Sequence, residues 1–374
     1  MTRPPNSVTI DLPALVHNLH QVRKIIGPDI KIMGVVKSDA YGHGLVMVSQ
    51  TLEKHGADCL GVAYLHEAIT LRKNGIRKPV LILGGIRSRE DAEAVFAHNL
   101  TPVLFDLSSA EILAQECDRR KGRKIHVQIK VDTGMGRLGI PFMDAGPVME
   151  RLKIFKGIFI EALTSHLSSA DDLNRDFTET QIANFQRAVD AGRKMGLELP
   201  LNNLANSAGI MAHRRAHFDM VRPGIMLYGG LPSPDFKTDA PLSPVMGFRG
   251  RIVQIRNLPD HTPVSYGRMY TTEGVRKIAV LSVGYGDGLP RCLSNRGKVL
   301  MGTRKVNIVG RVCMNMTMAD ITGTEDLEPG REVVFLGGKE GAAITGEDIA
   351  RWGDTISYEI FCSIGRANPR EYIL

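Results

Sequence analysis

The chain has 374 residues, 43% of them hydrophobic, enough to bury a large core and to divide into two domains. Its net charge of +7 is interleaved with acids, and basic clusters such as Arg119-Arg120-Lys121 have no aromatic platform beside them, so nucleic acid is not the expected partner. No apolar run approaches the ~20 residues of a bilayer span, the N-terminal stretch lacks the apolar segment of a signal peptide, and the five cysteines are scattered without CxxC spacing. A membrane protein, a disulfide framework and a metal site are therefore not expected, and a cytoplasmic location is.

Val8-Thr9-Ile10 predicts a short strand. Asp11 offers an N-cap, Pro13 suits a first helical turn, and Leu12, Leu15, Leu19, Val22 and Ile26 recur at helical spacing. Next comes KIMGVVKSDAYGHG, Lys31–Gly44. Its apolar run fits a strand buried on both faces, with Lys37 at the mouth and Gly42 and Gly44 allowing a tight turn. Desolvation there disfavours ammonium and leaves the free amine that a Schiff-base lysine needs. Taken alone, the stretch fits a surface lysine at a strand end better.

Strand patterns then follow at Cys59–Ala63, Val80–Leu83, Pro102–Phe105, His126–Val131, Gly157–Leu163, Pro200–Leu204 and Phe218–Val221. Helical patterns alternate with most of them, at His66–Asn74, Ser88–His98, Ser108–Glu116 and Thr178–Met195. With Lys31–Val36 this makes about eight units, the number that closes a (β/α)8 TIM-like barrel. The barrel is expected over residues 1–240, with a first strand near 7–11 free to join a second domain. Leu231–Ser243, rich in proline, reads as the linker. Residues 241–374 read as a mostly β domain with short strands at Arg251–Ile255, Lys277–Ser282, Lys298–Met301, Val306–Val309 and Glu332–Leu336. One helix, Gly346–Trp352, interrupts this pattern before Thr355–Ile364.

Barrels of this kind gather functional residues at the C-terminal ends of their strands. Lys130 with Asp132–Arg137, Ser165-His166, Asn206-Ser207 and Arg222–Ile225 all fall there. Each has a plainer reading: Gly134, Gly136 and Gly139 as a turn, His166 as a satisfied buried histidine, Ser207 as a helix cap. Their shared rim is the stronger observation. Ser207 and Gly224-Ile225 occupy the loops after strands seven and eight, where barrels bind phosphate. A Schiff-base lysine beside a phosphate cradle points to pyridoxal 5′-phosphate.

The motifs Val36–Gly44, Lys130–Gly139, His166, Ala205–Ser207, Val221–Ile225, Val264–Gly267, Gly284–Gly288, Gly310–Met314 and Tyr358-Glu359 together resemble the pyridoxal-phosphate-dependent alanine racemases over essentially the whole chain. The resemblance implies L-alanine and D-alanine as substrates, interconverted by two bases, and D-alanine supplied for peptidoglycan. It implies that Lys37 bonds the cofactor and serves as one base. The other base is Tyr266, reaching in from the second subunit of a homodimer. An isolated tyrosine, with a pKa of ~10, needs help to act near neutrality, and His166 and Arg222 resemble the relay that gives it. Arg222 also resembles the residue facing the pyridine nitrogen; a guanidinium does not readily protonate it, which weakens the ring as an electron sink and discourages transamination.

By the same resemblance, Tyr41, Ser207, Arg222, Gly224, Ile225 and Tyr358 contact the cofactor. Arg137 and the backbone of Met314 bind the substrate carboxylate, and Tyr285 and Tyr358 narrow the entrance. Lys130 matches a lysine often carbamylated, an anion that would hold Arg137. Asn315 stands where many members have aspartate, removing a charge at the mouth. Met316 and Met318, at strand spacing, would otherwise be read as core packing. The alternatives are a racemase for another amino acid such as serine, or a non-catalytic pyridoxal-phosphate-binding barrel.

Overall fold

The computed structural model describes residues 5–324, 326–339 and 341–374. The first strand, β1 (Ser7–Asp11), is followed at once by the helix Leu12–Ile26, whose first turn is capped by Asp11 Oδ1 accepting from the Ala14 N–H at 2.8 Å. A ring of parallel strands then forms. It comprises β2 (Lys31–Val35), β3 (Cys59–Val62), β4 (Val80–Ile82), β5 (Thr101–Leu104) and β6 (Ile125–Asp132), each paired with the next. The short β7 (Ile140–Pro141) pairs only with β6, and β8 (Ile158–Thr164) pairs with β6 on the side away from β5. The ring ends with β9 (Met220–Val221), which pairs back onto β2.

The seventh barrel strand, expected over Pro200–Leu204, is reduced to Asn203, which bridges Thr164 and Met220. Side-chain amides take over the ladder at this point. Asn202 Oδ1 accepts from the Leu163 N–H at 3.0 Å, while the Asn202 N–H donates to Asp219 Oδ2 at 3.0 Å. The other expected barrel strands form within a residue or two of their predicted ends. Burial on both faces of β3, β4 and β5, and of β2 beyond Lys31, matches the apolar runs that predicted them.

Beyond the proline-rich stretch the structure turns antiparallel. The long β10 (Met246–Leu258) pairs with β1, with Arg276–Leu281 and with Glu332–Lys339. β1 also pairs in parallel with the last strand, Arg370–Ile373. Thr355–Ile364, which the sequence places after the helical interruption of the β pattern, lies in a second helix, Ser357–Ala367. Ile360, Phe361 and Ile364 recur there at helical spacing and are buried together. A strand over Thr317–Asp320 was not expected, and Met316 just before it is exposed, not packed in a core.

Candidate active site

Immediately after β2 the backbone enters a left-handed turn. Ser38, Asp39, Ala40 and Tyr41 have φ of 55°, 56°, 54° and 54° with no glycine among them. Such residues cost roughly 1–2 kcal/mol each in that conformation, so the surroundings must hold the turn. Glu67 Oε1 accepts from the Ser38 N–H at 2.7 Å, and Asp39 Oδ1 from the Leu45 N–H at 2.7 Å. Arg370, on the last strand, pairs with Asp39 and donates to Gly42 O at 2.9 Å. The turn begins three residues past the end of β2 and leaves Lys37 at the mouth of the barrel.

His43 clamps the turn from inside. It is fully buried, and its Nδ1 donates to the carbonyls of Ala40 at 3.1 Å and Tyr41 at 3.0 Å. Burial lowers its pKa to about 4, against the pull of those two hydrogen bonds. The unfolded chain, with histidine near ~6.5, therefore takes up the proton first. Stability supplied by neutral His43 is present above that value and is lost as pH falls from there towards 4, by roughly 3 kcal/mol in full. His43→Asn keeps an amide donor for the carbonyls but does not titrate, so its urea-unfolding free energy should fall less steeply across this window. An unchanged slope would remove His43 from the account of acid sensitivity.

Lys37 faces a cavity of about 190 Å³ whose lining includes Tyr41, Lys130, Arg137, His166, Ser207, Arg222, Gly224, Ile225 and Tyr358. Four lysine and arginine side chains line it, and among the described residues no carboxylate does. Burial, then Arg137 and Arg222, push the Lys37 ammonium below its ordinary value. Burial, then Arg222, push Lys130 well below its own. A larger cavity of about 440 Å³ opens at the other end of the barrel and holds none of the sequence-predicted site residues.

Arg222 follows β9 and is buried. It donates to Asn203 Oδ1 at 2.6 Å, to Thr164 Oγ1 at 3.4 Å, to Leu204 O at 3.2 Å and to Ser165 O. Its Nη2 also lies 3.2 Å from His166 Nδ1. A guanidinium can only donate, so His166 Nδ1 accepts and the neutral ring carries its proton on Nε2. Burial and then the Arg222 charge hold His166 well below its usual pKa.

Ser207 is not the helix cap it might be taken for. Asn206 fills that role, with Oδ1 accepting from the Gly209 N–H at 3.0 Å. Ser207 Oγ accepts from the N–H groups of Gly224 at 3.0 Å and Met226 at 3.4 Å, which frees its own proton for a ligand. A Cβ on Gly224 would meet Tyr41 Oη at 2.5 Å, so only glycine admits that phenol. Burial raises the pKa of both Tyr41 and Tyr358 and keeps them protonated donors. Hydroxyl donors at one end, the guanidinium groups of Arg137 and Arg222, and two lysine amines held below their ordinary values fit a phosphorylated aldehyde such as pyridoxal 5′-phosphate.

Tyr266, Tyr285 and Met314 do not line this cavity. Tyr266 is 71% exposed and Met314 59%. Tyr266 and Met314 share an open hollow of about 730 Å³ with Asn315 and Met316. Ser265 Oγ donates to Arg311 O at 2.7 Å, and the Tyr285 N–H to Cys313 O at 2.9 Å, which knits the three segments together. Asn315 Nδ2 lies 3.4 Å from Asp287 Oδ2, where an aspartate would face a like charge. Asn203, Thr164 and Glu67 went unremarked in the sequence, the first two because lone polar residues in apolar runs carry no motif and Glu67 because an acid in a first helical turn is commonplace.

Two family models match the chain: the alanine racemase N-terminal domain over residues 10–232 and the alanine racemase C-terminal domain over residues 245–372. Alanine racemase 2 of Caldanaerobacter subterraneus subsp. tengcongensis is 42% identical over 370 residues, covering 99% of this chain and 95% of the relative. Alanine racemase of Geobacter sulfurreducens is 41% identical over 373 residues, covering 99% and 97%. The crystal structure of alanine racemase from Bartonella henselae with covalently bound pyridoxal phosphate superposes with a TM-score of 0.89 at 30% identity, covering 99% of this chain and 100% of that one. Motif order, barrel-mouth cavity and full-length similarity agree, and the chain belongs to the alanine racemase family.

Proposed function

We propose that the protein interconverts L-alanine and D-alanine with pyridoxal 5′-phosphate held in the cavity around Lys37, and that its two bases are Lys37 and Tyr266 of the partner subunit. The observation that carries this reading is the depressed amine of Lys37 in a cavity whose lining lacks any carboxylate among the described residues, in a chain of this family. When bound, the cofactor delocalises the electron pair left at the substrate Cα as its proton departs. Lys37 Nζ, whose ammonium form burial and the neighbouring arginines disfavour, bonds the resting cofactor and, once released, takes or returns a proton on one face of Cα. Tyr266 Oη serves the other face. His166 Nε2–H is the donor that meets Tyr266 Oη and steadies its oxygen as the proton leaves. Arg222, held by Asn203 and three backbone or hydroxyl acceptors, stands at the ring nitrogen and keeps its own protons.

Tyr41, Ser207, Tyr358 and the backbone of Gly224 and Ile225 hold the phosphate. Arg137 and the Met314 N–H of the partner subunit take the substrate carboxylate, and Tyr285 and Tyr358 narrow the way in. The exposed hollow bearing Tyr266 and Met314 supports a homodimer with shared sites. In this reading residues 1–240 hold the cofactor and residues 241–374 lend groups to the partner. The neutral amine of Lys130 is the form that adds carbon dioxide, so a carbamate there would supply the anion missing beside Arg137. An intact-mass measurement on gently handled protein checks for the added carboxyl.

Among the described residues no helix is long and apolar enough to cross a membrane. We place the protein in the cytoplasm, supplying D-alanine for the cell wall. With L-alanine in D₂O, the loaded protein should lose optical rotation while the Cα proton is replaced by deuterium. Retained rotation and a retained proton, with cofactor bound, would refute the assignment.

A further inference from the structure

Among the described residues Arg222 has no carboxylate against it. A carboxylate nevertheless reaches it through the barrel interior. Asn203 Oδ1 accepts from Arg222, and Asn203 Nδ2 donates to Gln128 Oε1 at 3.0 Å. Gln128 Nε2 donates to Glu161 Oε1 at 3.2 Å. Asn203 and Gln128 are each 0% exposed, whereas the Glu161 side chain is 15% exposed and borders the larger cavity at the opposite mouth. Glu161 Oε2 lies 3.2 Å from His126 Nδ1.

Every donor in this chain points the same way. A carboxamide is donor at one end and acceptor at the other, and it can turn over. An ionised carboxylate can only accept. Glu161 therefore fixes Gln128, Gln128 fixes Asn203, and Asn203 presents an oxygen, not an NH₂ group, to the guanidinium. Two local contacts act in the same sense: Asn203 Nδ2 also donates to Leu201 O at 2.8 Å, and Thr164 Oγ1 donates to Asn203 Oδ1 at 2.6 Å. Gln128 has no such second anchor among the hydrogen bonds of the described residues.

The backbone is built to turn Glu161 inward. Val127 of β6 pairs with Ile160 of β8, but Gln128 pairs with Ala162, which leaves Glu161 as an extra residue in a bulge. Thr164 lines the catalytic cavity, so Ala162, two residues back, shares its inward face. Strict alternation would send Glu161 outward. The bulge places it inside, at the foot of the relay.

We propose that Glu161 and Gln128 are positioning residues for Arg222, holding its guanidinium in register with the cofactor ring through Asn203. This rests on the reading that Arg222 faces the ring nitrogen. A polar layer serving only barrel stability would not alter the electronic state of that nitrogen.

The test uses the holoenzyme reconstituted with pyridoxal 5′-phosphate labelled at the ring nitrogen, read by nuclear magnetic resonance beside steady-state kinetics. Glu161→Gln should shift the ring-nitrogen resonance in the same direction as Arg222→Lys and lower kcat roughly two- to thirtyfold, with KM changed less. The exchange Gln128→Glu with Glu161→Gln moves the carboxylate one step nearer, keeps both volumes and keeps Asn203 Nδ2 donating towards position 128, and only the link between positions 128 and 161 reverses its donor. It should return the resonance and kcat most of the way to wild type. If Arg222→Lys moves the resonance but Glu161→Gln leaves it and kcat unchanged, the relay is overturned alone. An exchange variant no better than Glu161→Gln overturns it too. A resonance indifferent to Arg222→Lys overturns the ring-nitrogen assignment and the relay with it.

Discussion

A heterodimer of one Lys37→Ala chain and one Tyr266→Phe chain should regain about half of wild-type activity, because one of the two sites in a twofold dimer is then intact. Each parent homodimer lacks one base at both sites and should lose roughly 10²–10⁴ in rate. In the mixed dimer, the chain that keeps Lys37 receives Tyr266 from the chain that lost its lysine. The other site carries both defects. The expectation follows from where the side chains lie: Lys37 lines the cation-rich cavity, while Tyr266 stands 71% exposed on the second domain.

Two affinity tags and co-expression yield the mixed species for assay. A mixed dimer no more active than its parents would mean that Tyr266 serves its own chain or no proton transfer at all. The Tyr266→Phe homodimer adds a second measurement. Lys37 should still exchange the Cα hydrogen of one enantiomer with solvent deuterium without inverting it, while the other enantiomer stays unlabelled.

Much of the barrel was legible because buried parallel strands are apolar on both faces and need no partner to be recognised. The residues that face Lys37 were legible as motifs at strand ends. Three things were not. The left-handed turn over Ser38–Tyr41 contains no glycine, and contacts from the neighbouring His43 and from Glu67 and Arg370, distant in sequence, make it tolerable. The seventh strand dissolves at Asn202-Asn203, where side-chain amides replace backbone pairing. Glu161 faces inward only because a bulge shifts the register by one residue, which no alternation pattern reveals. Tyr266, Tyr285 and Met314 are a different matter. Their motifs are plain, but one chain does not bring them to the cavity.

Gly365→Ala should destabilise the protein and weaken its hold on the cofactor, although alanine is the better helix former by about 1 kcal/mol. Gly365 lies in the helix Ser357–Ala367, and a Cβ there would sit 1.9 Å from Gly42 O and 2.6 Å from Gly42 C. Gly42 closes the left-handed turn, with φ of 82°, and a Cβ on it would meet Phe361 O at 2.3 Å. These obstacles are backbone atoms, so no rotamer change relieves them. The helix must lift from the turn. Lifting it displaces Tyr358 from the cavity and loosens the segment that carries Lys37. Overpacking of this kind costs roughly 1–3 kcal/mol or more, and a poorly seated phosphate end should weaken cofactor binding about tenfold for each 1.4 kcal/mol lost. Gly146→Ala provides the contrast. It lies in the helix Ala145–Leu152, where the nearest obstacle is the flexible end of Met195 at 3.2 Å. It should leave stability unchanged or raise it by up to ~1 kcal/mol. Urea unfolding of both variants, with a cofactor titration followed by absorbance, separates the two effects. If Gly365→Ala unfolds at the same urea concentration as Gly146→Ala and binds cofactor equally well, the close contact between turn and helix does not set the geometry of Lys37.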